Sequence, residues 1–394
     1  MTLPTIQLIE RRVKEVRLPR SEAAFLRDHA RSVLEIVPGF GGGRYRLTPR
    51  GQIGFFDGPK LRYEIEPKFS WNQLLWLMGL EARYPSGDAP NATGGLLIAL
   101  ARTFLDQLRS VLTTGLILDY EEANQTDSYL RGRLRTIDQM KETLTRPVPD
   151  RFHISASQLA IDTPWNRILG ASVSQLLDNF DLPLTLREEL RIAASPLDWS
   201  GLGPLRDDDF ALANLEPRIA HYRDALQLCQ LIQEGFRAGQ FSDTARPAFL
   251  FDLGQAFERY LIKGLQHAFH TRSGWVIQGQ PEYVLGMVRD RALILQPDVV
   301  LRFAGEVRAV LDVKWKRPDP DAADLHQILA YGLMTRAQTL VLAYPGSRFT
   351  QQRLRIADSG LALWLVRVPV GGTREECQAG LTRLADLLGA GQKA

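Results

Sequence analysis

The chain has 394 residues, of which 45% are hydrophobic and 24% charged, with 48 lysines and arginines against 45 acidic residues. These proportions exclude collagenous, low-complexity and wholly disordered chains, and at ~150 residues per domain they leave room for two or three domains. A net charge of +3 permits a nucleic-acid partner without implying one, and two cysteines are too few for a disulfide framework or a cysteine zinc site. No window of ~18 apolar residues occurs and the first residues lack a continuous apolar run, so a soluble cytoplasmic protein without membrane association is expected.

Residues 1–90 read as a mixed β/α region, rich in short strands. Pro38-Gly39-Phe40-Gly41-Gly42-Gly43 is a turn signal, and short alternating runs follow at Tyr45–Leu47 and Ile53–Phe56. In Leu61–Lys68, Leu61, Tyr63 and Ile65 share one strand face. Trp71–Leu80 carries a helical stripe, and Pro85–Pro90 has the composition of a linker.

Residues 91–246 are expected to be mainly helical, with apolar residues at three- and four-residue spacing in Leu96–Leu118, Trp165–Phe180 and Ile219–Phe236. One stretch differs: Tyr129-Leu130-Arg131-Gly132-Arg133-Leu134-Arg135. If extended, it sends Arg131, Arg133 and Arg135 to one side. Two readings stand, a solvated basic face or a contact for phosphate or an acidic partner surface.

In residues 247–394 the rhythm changes. Phe249–Phe269 reads as a long helix, and Trp275–Gln278 and Glu282–Leu285 as extended segments. Leu293–Phe303 and Val307–Trp315 are two apolar strands joined across Ala304-Gly305-Glu306. A helix over Asp321–Arg336, strands at Thr339–Tyr344 and Leu361–Val368, and a helix over Thr373–Leu388 follow. The expected order is helix, three strands, helix, two strands, helix.

The residues that carry chemistry lie on the two apolar strands. Asp312 and Lys314 are two apart and leave the same strand face, and a hairpin can bring Asp298, in Gln296-Pro297-Asp298, beside them. Taken singly, Asp298 could cap a turn, and Asp312–Lys314 could be an exposed pair worth little. Val310, Leu311 and Val313 argue instead for a buried strand, where an unpaired charge is expensive. Carboxylates so placed suit a hard cation such as Mg²⁺, which polarises a phosphodiester and activates water while a lysine offsets developing charge.

Two flanking features have both a bland and a functional reading. Glu258 could supply a third carboxylate, or could be a surface residue paired with Arg259 or Lys263. Gln327 and Tyr331, at i,i+4 spacing, could steady the lysine or touch DNA, or could form a half-buried helix face. The six histidines lack zinc spacing, and there is neither GxxxxGK[ST] nor GxGxxG after a strand.

In this order, PD, DxK and QxxxY resemble the PD-(D/E)xK nuclease fold. More narrowly, the chain resembles the McrC family, the nuclease subunits of McrBC modification-dependent restriction systems. The resemblance rests on Ile65-Glu66-Pro67-Lys68, Leu130-Arg131-Gly132-Arg133, Asn166-Arg167-Ile168-Leu169, Phe257-Glu258-Arg259, Gln296-Pro297-Asp298, Leu311-Asp312-Val313-Lys314 and Asp324–Tyr331. It implies an α+β multidomain chain whose last segment, 247–394, is a restriction-endonuclease-like α/β domain. It also implies an Mg²⁺-dependent (or Mn²⁺-dependent) DNA endonuclease, with Asp298, Asp312 and Glu258 toward the metal and Lys314 and Gln327 completing the catalytic set. An McrB-like AAA+ GTPase oligomer, stimulated by this chain, and modified double-stranded DNA are the implied partners. Arg131, Arg133, Arg135 and Lys68 are candidates for contacting partner or DNA. Trp315 stands where many relatives are expected to carry tyrosine, on the face opposite Lys314. A non-catalytic adaptor of an NTPase and a stand-alone nuclease are the competing expectations.

Overall fold

The structure is a computed structural model whose described residues are 3–68, 74, 77, 95–145, 151–178, 182–197, 201–238, 248–289, 291–356 and 361–389. The chain forms two compact units, one from residues 1–91 together with 238–394 and the other from 92–237. The expected division into 1–90, 91–246 and 247–394 therefore becomes two units, because the first and last segments pack as one.

The N-terminal segment runs β1 (Thr5–Ile9), β2 (Lys14–Arg17), α1 (Arg20–His29), β3 (Leu34–Pro38), β4 (Arg44–Pro49), β5 (Gln52–Asp57) and β6 (Arg62–Glu66). Strands β2, β4 and β3 make an antiparallel sheet, on which α1 packs through the face that carries Ala23 and Leu26. In the neighbouring sheet β6 pairs parallel with β1 and antiparallel with β5. Tyr63 and Ile65 of β6 are buried on one face, as their spacing predicts. Of the helical stripe expected at Trp71–Leu80, only Leu74 and Leu77 are described, both helical and buried; the rest, with the Pro85–Pro90 linker, lies outside the described residues.

The second unit comprises α2 (Gly95–Thr114), β7 (Asp119–Asp127), β8 (Arg133–Leu134), α3 (Thr136–Thr145), β9 (Phe152–Ala160), α4 (Pro164–Asp178), α5 (Leu184–Ala193), α6 (Asp209–Leu215), a 3₁₀ turn at Pro217–Tyr222, and α7 (Arg223–Ala238). It is not mainly helical throughout, since β7, β9 and β8 form an antiparallel sheet. The sequence hid these strands because Asp119–Asp127 is polar along both faces and gives no hydrophobic period. Helix α2 ends at Thr114, where Gly115 adopts φ 112° and returns its N–H to the Val111 carbonyl at 2.9 Å. The helix expected over Ile219–Phe236 starts as the 3₁₀ turn, which is kinked within at Ile219 (ψ 28°), and continues as α7 from Arg223.

Arg131, Arg133 and Arg135 do not share one strand. Gly132, at φ 77°, turns the chain between the first two, and a side chain there would meet the Ser155 carbonyl at 2.4 Å. Only Arg133 lies in β8; Arg131 pairs with Asp127 and Arg135 with Asp138. The Asn166-Arg167 motif proves to be a core network on α4. The Arg167 fork engages both oxygens of Asp209 at 2.6 and 3.0 Å and reaches Asp162 at 3.1 Å, while Asn166 bonds the carbonyls of Ile117 and Ile161.

The C-terminal segment contains β10 (Ala248–Asp252), α8 (Leu253–Phe269), β11 (Trp275–Gly279), β12 (Tyr283–Val288), β13 (Arg291–Leu295), β14 (Val299–Phe303), β15 (Glu306–Val313), α9 (Ala322–Thr335), β16 (Thr339–Gly346), β17 (Thr350–Arg355), β18 (Ala362–Pro369) and α10 (Arg374–Gly389). The long helix expected from Phe249 starts only at Leu253. Residues 248–252 instead pair antiparallel with β5, completing the sheet β1-β6-β5-β10, and the Asp252 carboxylate caps α8 through the Gly254 and Gln255 N–H groups. Gly54 makes this pairing possible: at φ 118°, a Cβ would lie 2.1 Å from the Phe249 carbonyl oxygen.

The expected single strand Leu293–Phe303 is two. Strand β13 pairs with β12 in a separate ribbon, and the chain then breaks at Gln296-Pro297-Asp298, where Pro297 has no N–H to give a ladder. Strand β14 enters a six-stranded sheet of order β11-β14-β15-β16-β18-β17, in which β15, β16 and β18 run parallel. The β14–β15 turn places Ala304 and Gly305 at φ 49° and 89°, as a tight hairpin requires. Helix α9 covers one sheet face, packing Ile328 and Tyr331 on Val300, Val310, Leu340 and Leu342. Helix α8 packs on β11 and β15 and against α10. Among the described residues no helix is long and apolar enough to cross a membrane.

Arg167→Ala leaves Asp209, 0% exposed, without its counter-ion, and should destabilise the protein by about 3–5 kcal/mol. The double change Arg167→Met with Asp209→Leu should cost far less. Urea unfolding of both variants checks this, and equal losses would refute the ion-pair account.

Candidate active site

Strand β15 ends where the chemistry gathers. Asp312 stands in register with Leu342 of β16 and is 1% exposed, and Lys314 follows the strand end with its N–H donated to the Ala343 carbonyl at 2.9 Å. Asp298 sits just before β14, where its Oδ2 accepts the Val313 N–H at 2.6 Å. A side-chain carboxylate thus takes the next rung of the β14–β15 ladder and is fixed across from Asp312 and Val313.

Lys314 Nζ is 2.8 Å from Asp312 Oδ2, an ion pair without the alignment of a hydrogen bond, and it donates to Gln327 Oε1 at 2.8 Å. Gln327 Nε2 donates to the Tyr331 hydroxyl at 2.8 Å, which donates to the Gln296 carbonyl at 3.1 Å. The relay therefore runs from the lysine along α9 and back to the residue before Pro297. The structure brings Asp298, Asp312, Lys314 and Gln327 together. Trp315, one residue on, takes the opposite face: its indole meets the Phe257 ring edge-on at 5.6 Å and donates to Glu10 at 2.7 Å.

Glu258, half-buried on α8, belongs to the same electrostatic group. Burial raises its pKa, its bond to Gln280 opposes that rise, and Asp312 adds to it. Burial likewise lifts Asp298 to about 6, with Glu258 adding to the rise and the Val313 N–H and Lys314 opposing it. Asp312 is pushed up to about 6 by burial against the pull of Lys314, with Asp298 adding to the rise.

Four residues to which the sequence reading gives no role also border the site: Gln280, Lys316, Asp321 and Asp324. Gln280, at φ 49°, donates its N–H to the Asp298 carbonyl at 2.9 Å and accepts from Gln296 at 3.2 Å while its side chain holds Glu258. The one signal for Gln280 is the turn composition of Gly279-Gln280-Pro281. Lys316 pairs with Asp324 and with Asp321, and Asp324 also lies 4.0 Å from Lys314 Nζ. Lys68 is not part of this cluster; it stands beyond β6 in the electrostatic neighbourhood of Glu10 and Arg11. Arg131, Arg133 and Arg135 belong to the other unit.

Among the described residues no three His, Cys, Asp or Glu side chains form a ready-made metal cage. The donor set nevertheless fits Mg²⁺, which is commonly held by one or two carboxylates and keeps several waters. Asp312 Oδ2 is buried against the Lys314 ammonium at 2.8 Å, so a cation held there would share this oxygen with the lysine.

The arrangement defines a mixed α/β protein with an acidic pair and a lysine at one end of the inner strands β14 and β15 of its largest sheet. The family described as "McrBC 5-methylcytosine restriction system component" matches residues 48–345. The chain belongs to this family. Its fold is similar to that of a chain in the refined half-complex from the tetradecameric assembly of Thermococcus gammatolerans McrB AAA+ hexamers with bound McrC, at 17% identity and a TM-score of 0.57, covering 97% of this chain and 100% of that one. The cryo-EM structure of the Thermococcus gammatolerans McrBC complex also matches, at 19% identity and a TM-score of 0.44 over 67% of this chain and 88% of that one. No curated protein matches the sequence.

A carboxyl whose folded pKa is raised binds its proton more tightly in the fold. Its contribution to stability is full below the ordinary value of 3.8 and is lost as pH rises through about 6. In metal-free buffer at pH 8, Asp312→Asn should therefore be more stable than the parent, by on the order of 2–3 kcal/mol, with the gap closing toward pH 4. Denaturant melts across pH check this; an Asn variant less stable at pH 8 would overturn it.

Proposed function

We propose that the chain is the McrC-type nuclease subunit of a modification-dependent restriction complex, with residues 247–394 supplying a PD-(D/E)xK catalytic domain. The observation that carries the reading is the convergence of Asp298, Asp312 and Lys314 at one end of β14 and β15. Hydrolysis joins a water oxygen to phosphorus and breaks one ester P–O bond, with the released oxygen taking up a proton. Asp298 and Asp312 would hold Mg²⁺ or Mn²⁺, and Glu258 borders them. When bound, the ion supplies Lewis-acid polarisation and a more acidic water.

Each protein group has a share in that chemistry. Lys314, fixed by Gln327 and Tyr331, is aimed to orient water and to offset the charge that develops on the phosphoryl oxygens. The buried setting of Asp312 strengthens these interactions over their value in water. We assign modified double-stranded DNA as substrate and an AAA+ GTPase oligomer as partner, in keeping with the family and with the McrB hexamers that accompany McrC in the Thermococcus assembly. The chain has no phosphate-binding loop for a nucleotide, so the GTP chemistry falls to the partner, which this chain stimulates. Such a subunit works in the cytoplasm, where the DNA is.

The test is cleavage of 5-methylcytosine-containing duplex by the full chain with its GTPase, co-purified from a neighbouring gene. Asp298→Ala, Asp312→Ala and Lys314→Ala should each lower cutting by about 10³-fold or more, while the partner's GTP hydrolysis stays stimulated. EDTA should stop cleavage and Mg²⁺ restore it. Full cutting by a folded Asp312→Ala protein would sink the assignment, and stimulation without any cutting by the parent would favour the adaptor.

A further inference from the structure

A second charged feature lies on the other side of Trp315. The β1–β2 turn holds Arg11 in the left-handed region at φ 55°, fixed by its N–H to the Pro49 carbonyl and by Arg12 N–H to the Ile9 carbonyl. Its guanidinium reaches Glu10 at 3.5 Å, and Glu10 in turn accepts the Trp315 indole. Arg317 follows Trp315 by two residues, in a segment pinned by Lys316 N–H to the Lys314 carbonyl and Asp319 N–H to the Arg317 carbonyl. Lys68 completes the group: burial and the like charges of Arg11, Arg317 and Arg12 hold its pKa down, against the pull of Glu10. Arg11, Arg12, Lys68 and Arg317 are all exposed, whereas Glu10 is 2% exposed and already engaged. Among the described residues Arg12, Lys68 and Arg317 form no ion pair.

Arg11 and Lys68 flank the spent Glu10 carboxylate, Arg12 and Arg317 stand in the field of Lys68, and these like charges repel one another while backbone bonds and a strained arginine hold them in place. Such a cluster is stabilised by an external polyanion. We propose that Arg11, Arg12, Lys68 and Arg317 form a phosphate track that grips the duplex backbone flanking the bond cut at Asp312 and Lys314. This rests on the nuclease reading, and it gives the N-terminal strands a direct part in holding DNA. Contacts of this kind position the substrate without reading its bases.

The test is fluorescence anisotropy of the full chain with short labelled duplexes in EDTA, across a salt series. Arg12→Ala with Arg317→Ala should weaken binding to every duplex sequence alike and reduce the slope of log K against log salt by about two, since each phosphate contact contributes about 0.9. Arg12→Lys with Arg317→Lys should keep most of the slope, and Arg308→Ala, near the far end of β15, should leave it unchanged. An unaltered slope in the alanine variant beside normal binding by the parent would overturn the track alone. Failure of the parent to bind any duplex would overturn the track, while the nuclease reading stands or falls on the cleavage test with the partner GTPase. Loss of GTPase stimulation with unchanged DNA binding would reassign the cluster to a protein partner and overturn the track.

Discussion

Strand β15 carries an ionisable carboxylate at a position where both strand edges are paired and water is all but excluded. A fold optimised for stability alone would place valine at 312, because burying a charge costs free energy that a neighbouring ammonium recovers only in part. Burial raises the pKa of Asp312 even with Lys314 at 2.8 Å, in line with an incomplete recovery. Much of the surrounding structure serves this one placement. Asp298 spends an oxygen on the Val313 N–H, Gln327 and Tyr331 restrain the lysine, and Gln280 ties Glu258 to the backbone beneath Asp298. Local rules broken at one point and compensated around it are the mark of a site kept for its chemistry.

The site was more legible than the fold because it depends on short-range geometry. The two-residue period of a strand puts Asp312 and Lys314 on one face and Trp315 on the other whatever the tertiary context, and the four-residue helical period pairs Gln327 with Tyr331. The misread elements each lack such a signal. Residues 248–252 form an apolar run too short to separate strand from helix, and only pairing with β5 decides it. The polar faces of β7 conceal a strand, Pro297 divides what looks like one apolar stretch, and Gly132 bends the arginine triplet apart. Gln280 was invisible for a different reason: its left-handed backbone does as much as its side chain, and glutamine rarely announces that conformation.

The N-terminal strands are structurally tied to the sheet that carries the acidic pair. Strand β10 is shared with β5, and the residue next to Lys314 is anchored to Glu10 through a buried hydrogen bond on the sheet face away from α9. Glu10 is itself buried and held partly toward its protonated form by that burial, so the Trp315 donor is one of the few groups that favour its charge. Packing of Phe257 against the same indole adds α8 to the joint. Residues far apart in sequence thus set where the lysine-bearing loop leaves the strand.

This shared sheet has a consequence for how the protein is made. The unit built from 1–91 and 238–394 is interrupted by the whole of the other unit, so a ribosome finishes β1, β5 and β6 long before β10 emerges to pair with them. At 5–20 residues per second, roughly 10–40 s pass between the end of the first segment and the synthesis of Asp298. Until β10 emerges, β5 presents an unpaired edge, while residues 92–237 already have all their own chain. The carboxylate pair comes together only after the second segment of the interrupted unit has begun to emerge. A truncated product ending before β15 therefore carries the arginine-rich N-terminal turn but neither Asp312 nor Lys314, and the acidic pair with its lysine exists only once β15 has been made and has joined the sheet.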